Sequence, residues 1–283
     1  MPETQDGYIV RPFLRWAGSK RQLLPMLSKY WANDCPRYIE PFVGSASLFF
    51  NLAPTSAILG DVNAELMATY QQIKSNLSAV VAELGKMKKS KEVYTRLRAT
   101  KPSTLKPEKR AARLIYLNRF CFNGLYRTNR IGEFNVPFSG DRTGELPTAE
   151  ALKRCSSCLQ SAELVSGGFE RTLEFAQPGD FVYMDPPFSV VARRVFNEYD
   201  ASGFSQRQLI VLRDWLVQLN NNGIRFLVSY AESEEGILLS KGFYVEIVDV
   251  RRNIAGFAAN RRKTKELLIS NIKPIITEIS YES

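Results

Sequence analysis

The chain has 283 residues, 45% of them hydrophobic and 24% charged, as is typical of a globular protein with a full apolar core. Its net charge is +9, and it contains no histidine. The missing histidine excludes Ser-His and Cys-His nucleophile systems, imidazole general bases and metal sites that use imidazole ligands. Any chemistry must therefore use carboxylates, backbone dipoles and a cofactor.

The sequence favours a cytoplasmic protein. No apolar run approaches the roughly 20 residues needed to span a bilayer, so no membrane partner is expected. Residues 1–6 lack both the basic region and the apolar core of a secretory signal. The four cysteines are too few for a disulfide framework at this length, and Cys155 and Cys158 are interpreted as half-buried helix positions.

The positive charge is concentrated in the middle of the chain. Residues 63–152 contain 16 basic and 8 acidic residues, a net charge of +8. Residues 1–62 contain 6 basic and 5 acidic residues, and residues 153–283 contain 16 of each. A charge that only kept the protein soluble would be spread out, whereas a cluster is typical of a surface that binds a polyanion.

The N-terminal part predicts a nucleoside-binding βαβ unit. In residues 12–20 an aromatic-rich stretch precedes a small-residue turn. Either this turn lets the backbone come close to a ligand, or Trp16 is a buried residue beside a helix N-terminus. A helix is expected over residues 20–30, capped by Ser19. Residues 38–47 predict a strand, a small-residue turn and a helix, which places a ligand at a helix N-terminus. A second strand ends in Asp61, where such folds hold a ribose diol. The alternative role is a helix N-cap shared with Asn63, and the two roles are compatible.

The basic middle segment predicts helices and then a hairpin. Apolar residues recur with helical spacing in four stretches, residues 65–77, 77–84, 91–98 and 108–122. Residues 118–130 then combine three Arg, three Asn and three aromatic residues around a glycine turn, and residues 132–138 follow as a return arm. Arg and Asn read guanine and adenine edges, and a hairpin fits the major groove; a solvated basic loop is the alternative.

After residue 152 strands and helices alternate again, and the most informative stretch is residues 181–188. Four apolar residues predict a strand buried on both faces, and Asp185, two prolines and Phe188 follow where ligands are handled in such sheets. Asp185 offers an acceptor, Pro186 a carbonyl without a competing N–H, and Phe188 a flat apolar face. This combination suits the amino group of a planar heterocycle, whereas an ordinary Asp-Pro turn is the alternative.

The C-terminal part predicts a helix capped by Ser205 and three further strands. The last two strands flank a basic loop, residues 251–263. This loop either contacts phosphate or is solvated, and its candidate DNA contacts are Arg252, Arg261 and Lys263.

Taken together, residues 13 to about 272 resemble the Dam-type (D12 class) family of N6-adenine DNA methyltransferases, which use S-adenosylmethionine. Residues 13–20 resemble its N-terminal cofactor motif, residues 40–44 its first Rossmann motif, Asp61 its acidic strand end and residues 185–188 its catalytic motif. Its DNA-reading segment is similar to residues 117–119, 122–125 and 132–138.

The resemblance implies an α/β fold and a reaction. Residues 1–62 and 153–283 are expected to form a Rossmann-like methyltransferase sheet, and residues 63–152 an inserted, mainly helical DNA-recognition domain with a β-hairpin. The implied reaction transfers methyl from S-adenosylmethionine to N6 of a flipped adenine in double-stranded DNA, within GATC or a related short palindrome. We expect a prokaryotic or phage protein that needs no metal and acts as a monomer or weak dimer.

The resemblance also implies site residues. The expected catalytic residues are Asp185, Pro186 and Phe188. The expected cofactor-binding residues are Trp16, Ala17, Gly18, Lys20, Glu40, Phe42, Gly44, Asp61 and Asp185. The remaining expected DNA-binding residues are Arg15, Arg119, Asn123, Leu125, Arg127, Asn135 and Pro137.

Three departures from the family pattern concern Ala46, Phe188 and residues 139–146. Ala46 stands where the family usually has a second glycine, and Phe188 stands where tyrosine is commoner. Residues 139–146 do not follow the pattern of the GATC-reading members, which leaves the target sequence open.

A methyltransferase that acts on RNA or on protein glutamine is an alternative, but those classes usually have Asn where this chain has Asp185. An inactive DNA-binding homologue is another, against which the retained Asp61 and Asp185 argue.

Overall fold

The computed structural model describes residues 10–16, 18–32, 34–129, 132–140, 143–187, 204–253 and 261–275, with only the backbone described for residues 251–253 and 261–263. Over these ranges the chain has the mixed α/β fold that the sequence predicts. The helices and strands are, in chain order, α1 (Leu24–Leu27), β1 (Tyr38–Glu40), α2 (Ser47–Leu52), β2 (Ala57–Asp61), α3 (Ala64–Ser75), α4 (Leu77–Gly85), α5 (Lys91–Ala99), α6 (Pro107–Phe120), α7 (Ala149–Leu159), β3 (Ala162–Ser166), α8 (Phe169–Leu173), β4 (Phe181–Met184), α9 (Gln206–Asn221), β5 (Arg225–Ala231), α10 (Glu234–Ser240), β6 (Tyr244–Asn253) and β7 (Arg261–Ser270).

The chain divides into two compact units. The first comprises Met1–Arg21 and Pro41–Thr172, and the second comprises Gln22–Glu40 and Leu173–Ser283. No helix in the described ranges is long and apolar enough to cross a membrane.

The first unit contains a parallel strand pair and most of the helices. Strands β2 and β3 pair in register from Ala57 opposite Ala162 to Asp61 opposite Ser166. The four helices predicted in the basic segment are confirmed as α3 to α6. Helix α3 begins where Asn63 accepts the backbone N–H groups of Glu65 and Leu66, so the cap fixes the direction of the chain just after β2.

The expected hairpin is present as antiparallel pairing without continuous strands. Two isolated bridges join Cys121 to Phe138 and Thr128 to Phe134. Pro137 has no N–H to donate, which limits a regular ladder on the return arm. A buried cluster anchors the pairing to the helices because it contains residues of α5, of α6 with its C-cap Cys121, and of the return arm: Tyr94, Tyr116, Leu117, Phe120, Cys121, Phe134 and Val136.

The second unit contains five strands in the order β1-β4-β5-β7-β6. Strands β1, β4 and β5 run parallel, and β7 pairs antiparallel with β5 and β6. All four residues of β4 are buried, as expected for a strand covered on both faces. Helix α9 has the predicted Ser205 cap, which forms a capping box with Gln208.

The helix predicted over residues 20–30 is wrong. Only α1 is helical, and a 3-10 turn from Ser28 to Tyr30 follows it. Pro25 lies in the first turn of α1, where its missing N–H costs nothing, so the helix cannot begin a full turn earlier. Ser19 caps no helix; its hydroxyl lies 3.0 Å from the hydroxyl of Ser47.

Candidate active site

Asp61 lies at the carboxyl end of β2, next to the small-residue turn before α2. Its Oδ2 accepts the Gly44 N–H at 3.1 Å, and its Oδ1 accepts the Asn63 N–H at 2.9 Å. Burial raises the pKa of the Asp61 carboxyl, and the two N–H donors, which stabilise the carboxylate, oppose that rise. Each oxygen retains capacity for a second donor, as a ribose diol requires. Asp61 is not the cap of α3, because Asn63 takes that role.

The turn at Gly44 leaves no room for a side chain. Gly44 has φ of +44°, and a Cβ there would lie 3.0 Å from Trp16 Cδ1. Its carbonyl accepts the Tyr70 hydroxyl at 2.8 Å, which fixes the turn from the other side. Beside Asp61, the apolar side chain of Val62 is 77% exposed. A close backbone approach, a carboxylate and an exposed apolar surface together fit the nucleoside part of a cofactor.

Ala46 adopts the left-handed conformation, with φ of 54° and ψ of 37°, directly before α2. Glycine adopts this conformation without a steric penalty, whereas an L-residue pays about 1–2 kcal/mol. The alanine methyl is completely buried, so the substitution fills space inside the first unit. The turn therefore keeps the backbone shape that a glycine would allow.

The other expected cofactor residues differ in accessibility. Gly18 is exposed with φ of +81°, and open space surrounds the position of a Cβ. Lys20 is buried, and Phe42 is half-buried and stacks on Phe169 with a centroid distance of 5.2 Å. In the second unit, buried Glu40 accepts the Tyr38 hydroxyl at 3.0 Å. Ala17 lies outside the described residues.

Asp185 directly follows β4, and a hydrogen-bonded chain orients its carboxylate. Ser229 on β5 donates its hydroxyl to Asp185 Oδ1 at 3.1 Å, and the Tyr183 hydroxyl lies 3.0 Å from Ser229 Oγ. Because Ser229 has one proton to give, Tyr183 is the donor to Ser229. Burial, followed by the charge of Asp185, raises the pKa of the Tyr183 phenol, so it stays protonated.

The two residues after Asp185 have different surroundings. Pro186 is buried and Pro187 is exposed, so the chain reaches the surface two residues after Asp185. Phe188, the expected stacking ring, lies outside the described residues.

The expected DNA-reading segment presents exposed polar groups. Arg127 is exposed, and its Nε donates to Asn135 Oδ1 at 2.8 Å across the antiparallel pairing. Asn123 is exposed in a left-handed turn with φ of 56°, and Pro137 is exposed on the return arm. Leu125 instead packs against the buried cluster, so it helps to hold the segment in place.

Two expected DNA-binding arginines are held by the protein itself. The side chain of Asn118 forms two hydrogen bonds with the Arg15 backbone: it accepts the Arg15 N–H at 2.8 Å and donates to the Arg15 carbonyl at 2.5 Å. Arg119 donates Nε to the Glu145 carbonyl. Burial and then the charge of Arg15 lower the pKa of Arg119. The side chains of Arg252, Arg261 and Lys263 lie outside the described part.

Sequence reasoning missed three residues that organise these sites. Ser229 orients Asp185, and Asn118 forms hydrogen bonds with the Arg15 backbone. Tyr126 stacks on Trp16 with a centroid distance of 5.6 Å and an interplanar angle of 19°. Ser229 could have been found as a small polar residue within the run of apolar and aromatic residues that follows Arg225 in β5. The other two depend on which distant segments pack together, which no local pattern reports.

Known proteins match nearly the whole chain. The sequence profile of the family described as D12 class N6 adenine-specific DNA methyltransferase matches residues 16–254. The type II methyltransferase M1.LlaDCHI of Lactococcus lactis subsp. cremoris is 34% identical over 271 residues, which cover 93% of this chain and 95% of that protein. The DNA adenine methylase of Salmonella typhi is 33% identical over 267 residues, with 91% and 94% covered. The type II methyltransferase M.MjaIII of Methanocaldococcus jannaschii is 30% identical over 287 residues, with 93% and 99% covered.

Proposed function

The chain belongs to the D12 class of N6 adenine-specific DNA methyltransferases, and from this premise we propose that it flips one adenine out of a short duplex sequence and methylates it through Asp185 and Pro186. The class uses S-adenosylmethionine as its methyl donor.

We propose that Asp61, Gly44 and Trp16 bind S-adenosylmethionine. The remaining acceptor capacity of Asp61 suits the two ribose hydroxyl groups, and the glycine turn lets the ligand approach the backbone. When bound, S-adenosylmethionine supplies a methyl group on a positively charged sulfur. The residues of the turn contribute position, since none of them needs to exchange a proton.

Asp185 and Pro186 bind the adenine amino group in this proposal. The carboxylate and the Pro186 carbonyl each accept one N6 hydrogen, which draws the nitrogen lone pair out of conjugation with the ring. Phe188 stacks on the base. The observation that carries the assignment is the hydrogen bond from Ser229 to Asp185, because it fixes the direction of the carboxylate at the end of a buried strand.

Residues 63–152 bind the duplex in this proposal. Their net charge of +8 supplies a salt-sensitive attraction to phosphates, and the exposed Asn123 and Arg127 are placed to read base edges. The basic residues Arg252, Arg261 and Lys263 add phosphate contacts. GATC or a related short palindrome is the proposed target, and we propose a monomer or weak dimer as the acting species.

The proposal is tested by methyl transfer from tritium-labelled S-adenosylmethionine into duplex DNA, RNA and protein. The natural chain should label duplex DNA alone, and Asp185→Ala should lose transfer while binding duplex DNA with affinity within about threefold of the natural chain. Near-normal turnover by Asp185→Ala would contradict the catalytic assignment. Label in RNA or protein would contradict the proposed substrate.

A further inference from the structure

Tyr126 lies between the two binding functions of the first unit. It directly precedes Arg127 in the chain, and its ring stacks on Trp16, 110 positions earlier, with an interplanar angle of 19°. The ring also meets Phe134 of the return arm edge-on, at a centroid distance of 5.7 Å. One side chain therefore contacts both the expected cofactor motif and the hairpin that carries Arg127.

The hydroxyl of Tyr126 is fixed by a buried ion pair. It donates to Glu65 Oε2 at 3.1 Å, and Glu65 Oε1 lies 3.1 Å from a terminal nitrogen of Arg113. Arg113 is 1% exposed and also donates to the carbonyls of Leu97 and Arg98, so its guanidinium is held by groups of three residues. Burial and the Glu65 carboxylate raise the pKa of Tyr126 well above its ordinary value, so the phenol remains a donor.

The same network reaches Asp61 along the backbone. Glu65 donates its N–H to Asn63 Oδ1, and Asn63 donates its N–H to Asp61 Oδ1. Tyr126 is thus connected to the ribose-binding carboxylate through three short contacts, in addition to its direct contact with Trp16.

A second, independent contact joins the same two segments. Asn118, at the start of the DNA-reading segment, accepts the N–H of Arg15 and donates to its carbonyl, and Arg15 directly precedes Trp16. Gly124 lies so close that a Cβ there would be 2.6 Å from Arg15 Cβ. These contacts keep residues 118–124 against the cofactor motif, so the position from which Arg127 continues is set by Tyr126, which Trp16 and Glu65 hold in place.

We propose that Tyr126 is a positioning residue that couples the cofactor site to target reading, so that the cofactor and the cognate duplex strengthen each other's binding. The inference rests on the proposed roles of Trp16 and Asp61 at the cofactor and of Arg127 at the base edges. A ligand that fixes Trp16 fixes the ring stacked on it, and the next residue in the chain is Arg127. By linkage, the duplex strengthens cofactor binding by the same factor.

The test measures the dissociation constant of S-adenosylhomocysteine by calorimetry, alone and with a saturating duplex that carries the sequence the natural chain methylates. The ratio of the two constants is the coupling factor, which we expect to be at least about fivefold for the natural chain. Tyr126→Leu, which loses both the stack and the phenol, should bring it to within about twofold of unity. Tyr126→Phe, which keeps the stack, should give an intermediate value.

Tyr244→Leu is the matched control, because Tyr244 is half exposed on β6 in the second unit and should keep the natural factor. Thermal unfolding establishes that each variant is folded; should Tyr126→Leu not fold, the fall in Tyr126→Phe decides. A coupling factor unchanged by both substitutions, or equal to one in a natural chain that methylates DNA, would overturn the inference while leaving the proposed function intact. Absence of methyl transfer by the natural chain would instead contradict the proposed function.

Discussion

At the scale of single residues, Asp185 depends on a partner from the neighbouring strand. In the parallel register Met184 is opposite Val228, so the residues that follow each of them, Asp185 and Ser229, are also side by side. The hydroxyl bond to a charged carboxylate is of the stronger kind, worth about 1.5–3 kcal/mol. Loss of this bond would weaken the hold on the direction of the Asp185 carboxylate.

Ser229→Ala should therefore lower kcat for DNA methylation by about ten- to a hundredfold, since each 1.4 kcal/mol is a factor of ten. Steady-state rates with saturating cofactor and duplex measure this. Tyr183→Phe is the matched control, because it removes the other hydroxyl of the chain but leaves the bond from Ser229 to Asp185. We expect both variants to lose stability and only Ser229→Ala to lose turnover; equal kcat in the two would argue against the orienting role.

Gly44→Ala should weaken cofactor binding. The residue has φ of +44°, where an alanine is strained by about 1–2 kcal/mol, and its Cβ would press on Trp16. Relief of that strain breaks the bond from the Gly44 N–H to Asp61, so the affinity for S-adenosylhomocysteine should fall by about tenfold or more. Gly85→Ala is the control, since Gly85 ends α4 with open space around it. If Gly44→Ala binds S-adenosylhomocysteine with an affinity within twofold of the natural chain, the proposed role of the Gly44 turn in cofactor binding is contradicted.

At the scale of elements, α2 is bounded by two alanines in the left-handed conformation. Ala46 precedes the helix with φ of 54°, and Ala53 follows it with φ of 44°. Glycine is the usual residue at the second kind of position, where the chain leaves a helix. The helix therefore carries strain at both ends, and the buried methyl of Ala46 offsets part of it by filling space.

Ala53→Gly should stabilise the protein by about 1 kcal/mol, because it removes the penalty of a left-handed alanine while the N–H bond to the Phe49 carbonyl is kept. Ala99→Gly, at an exposed helical position of α5, should destabilise it by about the same amount. Urea unfolding compares the two variants with the natural chain. A loss of stability in Ala53→Gly would show that the strain is not there to relieve.

Local patterns predicted the elements better than the contacts between them. Helices α3 to α6 and strand β4 follow from spacing and from an unbroken apolar run, which are properties of neighbouring residues. The helix over residues 20–30 failed because a single proline outweighs the helical spacing around it. The bond from Ser229 to Asp185 and the stack of Tyr126 on Trp16 join residues 44 and 110 positions apart, so they follow from packing and not from local sequence.

At the scale of the whole molecule, the charge distribution predicts that DNA binding depends on salt and that cofactor binding does not. Residues 63–152 carry +8 of the net charge of +9, so duplex binding should release counterions from the phosphates. Four phosphate contacts correspond to a loss of about a hundredfold in affinity between 50 and 200 mM salt. A titration of random-sequence duplex at the two salt concentrations should show a loss of at least tenfold. The control ligand S-adenosylhomocysteine is nearly neutral and should bind equally at both; a salt-independent duplex affinity would be inconsistent with a polyanion surface.

The central claim, that this chain methylates adenine N6 within one short duplex sequence, is tested most directly by mapping methylated bases. Random-sequence duplex DNA is incubated with the chain and S-adenosylmethionine, and long-read sequencing locates and identifies each modified base. We expect N6-methyladenine at one position of one short recurring sequence, and no modification by Asp185→Ala. Methyl groups on cytosine, or on adenines without a common surrounding sequence, would contradict it.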